Sequence, residues 1–201
     1  RQVKKFAGQQ TVSVELIDRS SPAFFSELVR QMEFAYAKAT DAYAVTRASA
    51  TATASTAKAG ATAANYLAFF ANAAKNCYTG SLGFARNVVV SPDVWAEIMG
   101  LNDNGRPIYI AAQPQNAGGA LRPDSLRGDI AGLSLYADFA APAGSDDGSM
   151  IIVNPSAYTW YEGTNYQLRA ESTADGSITI GIYSFGACAV KLAGGAFRNN
   201  K

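Results

Sequence analysis

The sequence contains no histidine, and this absence excludes several kinds of active site at once. Triads and dyads that use an imidazole as the general base cannot form, and neither can a metal site with histidine ligands. The two cysteines, Cys77 and Cys188, are too few for a zinc cage, and one distant pair is not a disulfide framework. They indicate a reducing compartment or plain buried thiols.

Charged residues are also scarce. They make up 16% of the 201 residues and nearly cancel, leaving a net charge of +1. Proteins that bind nucleic acids through phosphates need a clear basic excess, so this balance argues against a general nucleic-acid binder. No apolar run approaches the roughly 18 residues of a membrane helix, and we expect no membrane partner. Alanine is abundant instead, with 38 residues, and the length suits one large domain or two small ones.

The first part of the chain is predicted to be an extended arm followed by a long helix. Residues 2–17 are predicted to be one extended arm, in which residues 12–16 alternate like a strand. Ser21-Pro22 then marks a helix start, with the serine as N-cap and the proline in the first turn. Apolar residues at steps of three and four predict an amphipathic helix over residues 22–47, roughly 39 Å long at 1.5 Å per residue. The Ala-, Thr- and Ser-rich segment 48–59 is either its frayed end or a flexible crossing between subdomains.

Two shorter helices and a strand are predicted next. The second helix covers about residues 61–78, and Gly80 is expected to end it. Residues 87–90 form a short apolar strand. Ser91-Pro92 begins a third helix, which Gly100 ends.

From residue 106 onward, short apolar runs separated by glycine, proline and aspartate predict strands and loops. A hairpin with an Asp175-Gly176 turn is expected to join two of the strands. We expect the long helix to lie across an antiparallel sheet built from residues 150–192. The predicted strands are 107–110, 130–139, 150–153, 165–170, 177–185 and 188–192, with turns at 102–105 and 144–148, a loop at 113–125 and a polar tail at 198–201.

One tripeptide, Arg127-Gly128-Asp129, matches an integrin-binding motif. Such a tripeptide is common by chance, and the chain shows no secretory signal. We therefore expect it to serve packing or strand entry, with Gly128 supplying backbone freedom.

Other short motifs also lack what a functional site would need. The pair Asp146-Asp147 lacks the repeated acidic ligands of a calcium loop. The glycine pairs Gly118-Gly119 and Gly194-Gly195 lack the lysine and the Ser/Thr of a phosphate loop. Cys77 has no histidine to act as its base. The sequence therefore predicts no catalytic, cofactor-binding or metal-binding residue.

Several segments, taken in chain order, point to a family. Residues 88–95 combine a short apolar strand with a Ser-Pro helix start, and the turn of residues 101–107 follows. Residues 126–133 come later, and residues 12–16 with Ser20-Ser21 precede the long helix. Together these segments resemble the major capsid (head) protein of tailed bacteriophages, which has the Hong Kong 97-type (Johnson) fold.

The resemblance implies an α+β fold with two domains. A long spine helix on an antiparallel sheet would form the peripheral domain from residues 12–58 and 145–197. An axial α/β domain, residues 59–144, would be inserted in it. Residues 1–11 would end the family's extended loop, and residues 198–201 would be a tail. The chain would then be a fragment that lacks the N-terminal arm and most of the extended loop.

The resemblance also implies a function. The chain would be a structural subunit, not an enzyme, of an icosahedral phage or prophage head shell that encloses double-stranded DNA. Its full-length parent would self-associate into pentamers and hexamers and meet a scaffold, a portal and a maturation protease. It would contact the packaged DNA only non-specifically. Its location would be the virion, and the host cytoplasm during assembly.

Two alternatives stay open at this point. One is the shell of an encapsulin-like compartment, which shares the fold. The other is a small α+β domain that binds a ligand or acts as an enzyme. A deep pocket with titratable groups of perturbed pKa would favour the enzyme.

Overall fold

The computed structural model describes residues 3–19, 23–55, 62–111, 127–143, 147–172 and 176–200. Its helices are α1 Val14–Arg19, α2 Ala23–Thr51, α3 Ala63–Ser81 and α4 Pro92–Met99, with a 3₁₀ turn at Pro155–Ala157. Its strands are β1 Lys4–Ser13, β2 Thr53–Ala54, β3 Asn87–Val90, β4 Asn102–Asp103, β5 Arg106–Pro107, β6 Tyr109–Ala111, β7 Arg127–Ile130, β8 Leu133–Ala137, β9 Met150–Val153, β10 Tyr158–Glu162, β11 Tyr166–Ser172, β12 Ser177–Val190 and β13 Ala196–Arg198. Contacts divide the chain into two compact units, residues 1–44 with 160–189 and residues 45–159 with 190–201.

The first unit is a helix packed on one face of an antiparallel sheet. The long strand β12 pairs with β1 over ten residue pairs, and β10 and β11 pair with its other edge. Alternate residues of β12, beginning with Ile178, are buried, because successive side chains of a strand point to opposite faces. On that face the buried ring of Phe6 lies 6.2 Å from Tyr36 and 5.6 Å from Tyr43 of α2.

The second unit is built around a seven-stranded mixed sheet in the order β2-β13-β9-β3-β8-β7-β6. Strand β3 runs parallel to β8 and antiparallel to β9. Helices α3 and α4 present apolar residues at helical spacing to this sheet. The core formed there includes Tyr66, Phe69, Phe70, Ala73, Cys77, Val88, Val90, Val94, Ile98, Leu135 and Ile152.

Several predicted elements are confirmed. The long helix has 29 residues and is therefore about 44 Å long. Helix α4 begins as expected, with the Ser91 hydroxyl accepting a hydrogen bond from the backbone of its first turn at 3.3 Å. Strands β11 and β12 pair as the predicted hairpin. The cap predicted at Ser21-Pro22 and residues 173–175 of the hairpin turn lie outside the described residues.

The prediction of one extended arm over residues 2–17 is wrong beyond Ser13, where α1 begins. The Ser13 hydroxyl accepts a hydrogen bond from the Leu16 N–H at 3.3 Å, as an N-cap residue does. Glu15 lies in the first turn and Arg19 in the last, and both complement the helix dipole. The alternating sequence pattern of residues 12–16 favours a strand and gave no indication of this N-cap.

The predicted end of the long helix near Arg47 is too early. The helix continues to Thr51, because alanine favours helix and the Thr51 hydroxyl donates to the Arg47 carbonyl at 2.8 Å. Strand β2 follows directly. The start of segment 48–59 is thus the end of the helix, and residues 56–60 lie outside the described part of the chain.

Gly80 does not end α3. The helix continues to Ser81, and Leu82 terminates it with a left-handed φ of 52°. Gly80 serves packing instead, because a Cβ there would lie 2.9 Å from the Gly194 carbonyl oxygen.

The prediction of one strand over residues 130–139 is also wrong. The chain turns at Ala131 and Gly132, whose φ values are 49° and 77°, and this turn separates β7 from β8. Glycine and asparagine are the usual residues at such φ values, so the alanine concealed the turn.

Three further strand predictions need correction. Residues 188–190 continue β12 instead of starting a separate final strand. The last strand is β13, and Arg198, which the sequence assigned to a polar tail, belongs to it. Strand β9 pairs with β3 and β13, so residues 150–153 are not part of the sheet under the long helix. The sequence also missed β10, whose residues do not alternate in polarity.

Candidate assembly surfaces

The described residues offer little chemistry for catalysis. Their Cys, Asp and Glu side chains form no group of three or more that could hold a metal ion. No described helix is both long and apolar enough to cross a membrane. Cys77 is buried, its thiol donates to the Gly195 carbonyl at 3.3 Å, and burial raises the pKa of the thiol. A raised pKa disfavours the thiolate that a nucleophile would need.

The tripeptide Arg127-Gly128-Asp129 lies in β7 and pairs with β8. The Arg127 guanidinium donates to the Tyr136 hydroxyl at 3.1 Å, and the Asp129 carboxylate accepts from the Ser134 hydroxyl at 3.2 Å. The tripeptide therefore serves strand packing, as predicted. The expectation that Gly128 supplies backbone freedom is wrong, because this glycine is a buried strand residue and does not have a positive φ.

The other motifs are structural where they are described. Gly194-Gly195 lies against α3, and a Cβ at Gly195 would lie 2.6 Å from that of Ala157. The structure thus brings this pair together with Cys77. Asp147 forms an ion pair with Arg198 at 3.6 Å. Asp146 and Gly118-Gly119 lie outside the described residues.

Three apolar side chains project from the end of α3 in the second unit. Leu82 is 83% exposed and Phe84 is 69% exposed, and the Phe84 ring stacks on that of Tyr78 with centroids 5.1 Å apart. Clustered apolar side chains on a surface mark interaction sites, whereas single ones are common. We call Tyr78, Leu82 and Phe84 the knob.

Contacts on both sides fix the backbone that carries the knob. Gly80 packs against Gly194, and a side chain at Gly83 would collide with the Asn154 amide. The left-handed φ of Leu82 is disfavoured for a bulky residue, so its surroundings must impose it. A polar cleft of about 460 Å³ lies beside the knob, and Arg86 is the charged residue in its lining.

The first unit carries an apolar groove between β1 and α2. Its volume is about 510 Å³, and β1 is the edge strand of its sheet. The groove is open at Gly8, where an added Cβ would meet no atom within 4 Å. Among the described side chains of α2 up to Ala44, none is fully buried. The groove lining includes Phe6, Gly8, Leu28, Met32, Ala35, Tyr36 and Ile182.

Charged side chains near the groove form hydrogen bonds with neighbouring side chains. The Glu162 carboxylate accepts from the Tyr36 hydroxyl at 2.6 Å, and burial together with this carboxylate raises the pKa of Tyr36. On α2, hydrogen bonds from Arg30 and Gln31 lower the pKa of Glu27 to about 2. These shifts belong to a helix surface and its packing, and none of them lies in a deep pocket.

Comparison with family models decides the identity. Residues 1–199 match the family described as phage capsid protein. The chain belongs to this phage capsid protein family. Comparison with curated protein sequences gives no significant match.

Solved structures agree with the family match and establish the fold of this capsid protein. At 11–17% identity they show the fold alone. The mixed helix and sheet architecture is the predicted α+β, Hong Kong 97-type fold. Similar structures include Mycobacterium phage Che8 (17% identity, TM-score 0.76, 98% of this chain and 70% of that one), the empty GTA particle capsid computed with C5 symmetry (14%, 0.72, 98% and 72%) and the bacteriophage PhiM1 mature capsid (13%, 0.66, 98% and 70%).

The family gives the chain its role. As a phage capsid protein it is a structural subunit of a head shell, and its location is the virion. This match favours the head shell over the two alternatives, a compartment shell and a ligand-binding or enzyme domain. For such a subunit the functional surfaces are those that contact other molecules, and the knob and the groove are the candidates for such contacts.

Sequence reasoning missed both surfaces of this capsid protein. The segment from Gly80 to Phe84 has the pattern of an ordinary helix end, and nothing local indicates whether Leu82 is buried. A signal was present in the two glycines that flank Leu82, because closely spaced glycines indicate tight backbone packing around the residue between them. The groove left no signal, since β1 and α2 are separate in sequence.

Proposed function

We propose that this capsid protein self-associates into pentamers and hexamers that build an icosahedral head shell around double-stranded DNA, and that it has no catalytic activity. The family match carries the proposal, because capsid proteins act as many identical copies. The capsid of the GTA particle, which has a similar fold, is a five-fold symmetric assembly. The exposed knob supports contacts between copies, since a monomer rarely exposes clustered large apolar side chains.

The distribution of apolar surface supports closed rings. The knob belongs to the second unit and the groove to the first, so the two are different surfaces of one chain. A contact between unlike surfaces is heterologous, and heterologous contacts close into rings when the rotation between copies allows it.

We infer that residues 12–58 and 145–197 act as the peripheral domain and residues 59–144 as the axial domain, with residues 1–11 ending the extended loop. The helix on its sheet in the first unit supports the peripheral assignment. The seven-stranded sheet crosses the proposed boundary, because β9 and β13 pair within it. The two domains would therefore share a sheet.

We also propose the partners that the family resemblance implies. A scaffold, a portal and a maturation protease would act on the subunit during assembly in the host cytoplasm. The packaged DNA would be contacted only non-specifically, in keeping with a net charge of +1.

Self-association is tested on the purified chain at increasing concentration. Light scattering should report a rising mass, and negative-stain electron microscopy should show rings of five and six copies, curved sheets or closed particles. A monodisperse monomer at every concentration, including concentrations near 1 mM where weak contacts of about 4 kcal/mol form, would contradict the proposal.

A further inference from the structure

We propose that Asn104 is a site of spontaneous deamidation, at which the subunit slowly converts an uncharged turn residue into an acidic one. Asn104-Gly105 is the single Asn-Gly pair in the sequence. It forms the turn between β4 and β5, and both residues are exposed. The inference concerns the chemistry of one chain and is independent of the proposed self-assembly.

The reaction needs only these two residues and water. The backbone nitrogen of Gly105 attacks the side-chain carbonyl carbon of Asn104, and a carbon–nitrogen bond closes a succinimide ring. The proton lost from that nitrogen is returned to the amide nitrogen of the side chain, which leaves as ammonia. Water then opens the ring at either carbonyl and yields aspartate or isoaspartate. Nothing is oxidised or reduced, and asparagine is among the thermolabile residues of proteins.

The attacking nitrogen is unobstructed. Gly105 has no side chain, and an added Cβ there would meet no atom within 4 Å. Its N–H donates to no acceptor among the described residues, so no hydrogen bond has to break before the attack. Every other asparagine of the chain precedes a residue with a side chain, which crowds the approach to the backbone nitrogen.

The side-chain amide is held beside the turn, and the turn itself opens readily. The Nδ2 of Asn104 donates to the Asp103 carboxylate at 3.2 Å. The succinimide ring joins the side chain of residue 104 to the backbone of residue 105, so the turn must rearrange as the ring forms. This rearrangement costs little, because β4 and β5 share only two residue pairs and such a short hairpin is marginally stable.

The products differ from asparagine in charge and in backbone length. Either product adds a negative charge beside Asp103 and cancels the formal net charge of +1. Isoaspartate also adds a carbon to the backbone, and the pairing of β4 with β5 depends on the length of their turn. The change should end at the base of the hairpin, where the Ile108 N–H donates to the Leu101 carbonyl at 3.4 Å and both side chains pack against the core. Older subunits would therefore remain folded but carry a more acidic turn.

The site is tested on the intact chain, incubated in mildly alkaline buffer made with water that contains heavy oxygen. Peptide mapping by mass spectrometry should find the label at position 104, because ring opening takes an oxygen atom from water. An isoaspartyl methyltransferase should methylate the same peptide. Asn102 is the matched control, since it is exposed in the same hairpin but precedes Asp103.

Two variants separate the chemistry from effects on folding. Asn104→Gln keeps the amide but would need a larger ring, and the label at this position should be lost. Asn104→Asp carries the charge of the product, and the incubated parent should acquire an acidic band that co-migrates with it in isoelectric focusing. Circular dichroism of each variant confirms that it is folded.

The inference is overturned if the folded chain takes up no more label at position 104 than at position 102. The same conclusion follows if position 104 is labelled only after the chain is unfolded in urea, because the closed hairpin would then protect the pair. Neither result bears on self-assembly, which is measured separately.

Discussion

Asn199, near the end of the chain, joins backbone segments although it belongs to no motif. It is 2% exposed, and its Oδ1 accepts hydrogen bonds from the N–H groups of Gly148 and Met150, each at 3.0 Å. Its Nδ2 donates to the Ser149 hydroxyl at 2.9 Å. At the residue scale, one buried amide thus attaches β13 to the start of β9.

Replacing Asn199 by alanine should destabilise the subunit. The buried N–H groups of Gly148 and Met150 lose their side-chain acceptor, although Gly148 keeps a longer hydrogen bond of 3.4 Å to the Asn199 backbone carbonyl, and an unsatisfied buried group costs about 1–3 kcal/mol. We expect Asn199→Ala to lower the free energy of unfolding by about 1–3 kcal/mol in urea titrations. The neighbouring Asn200 is exposed, so Asn200→Ala should change it by less than about 0.5 kcal/mol. Equal effects of the two changes would show that the amide is not a structural link.

Gly80 presents a conflict between two effects. Inside a helix, Gly→Ala normally stabilises by about 1 kcal/mol. Here the added Cβ would lie 2.9 Å from the backbone oxygen of Gly194, and overpacking against backbone costs about 1–3 kcal/mol. We expect the clash to dominate, so that Gly80→Ala lowers the melting temperature. Gly8→Ala, where a Cβ meets nothing within 4 Å, is the control and should leave it unchanged or raise it. A higher melting temperature for Gly80→Ala would mean that the backbone at Gly194 moves away from the added Cβ at little cost in free energy.

At the scale of elements, prediction succeeded where a local signal was strong. The amphipathic spacing of α2 and the Ser-Pro start of α4 are such signals, and both helices are present. Prediction failed where a partner distant in sequence decides the structure. Strand β13, for example, exists because it pairs with β9 and β2, which are both distant from it in sequence. The turn at Ala131 and Gly132 is local, but it was missed because alanine is unusual at a positive φ. The knob and the groove are also products of tertiary packing, so the sequence could give the fold class but not the surfaces.

The exposed face of α2 gives a pH-dependent contribution to stability. The pKa of Glu27 falls from 4.5 to about 2, first through its hydrogen bond with Arg30 and then through Gln31. Because the folded pKa is below the unfolded one, the stabilisation is present above pH 4.5 and is lost as the pH falls toward 2. We expect Glu27→Gln to lower the melting temperature slightly at pH 7 and to make its fall in this window shallower by the same small amount, since exposed pairs contribute little.

Arg30→Met provides the matched test of the cause. Removing the guanidinium should bring the pKa of Glu27 back toward 4.5 in an NMR titration of the carboxyl carbon. If the pKa of Glu27 stays near 2 in this variant, the hydrogen bond with Arg30 is not what lowers it.

At the scale of the whole molecule, few charges are available to hold neighbouring subunits together. Charged residues are 16% of the chain, whereas the knob and the groove are apolar. Apolar contacts respond to salt differently from ionic ones. Sodium chloride screens exposed charges, with a Debye length that falls from about 10 Å at 0.1 M to about 3 Å at 1 M. Sulfate instead strengthens apolar burial, because it is excluded from protein surfaces.

Assembly of this subunit should therefore tolerate sodium chloride and respond to sulfate. Between 0.1 and 1 M sodium chloride, we expect the concentration at which light scattering detects association to change by less than about threefold, since screening removes mainly ionic contacts. Ammonium sulfate of matched ionic strength should lower that concentration. A Leu82→Asp, Phe84→Asp variant should show a weaker sulfate response, because it removes part of the exposed apolar surface on which sulfate acts. Steep disassembly in sodium chloride would indicate that ion pairs, and not apolar contacts, hold the copies together.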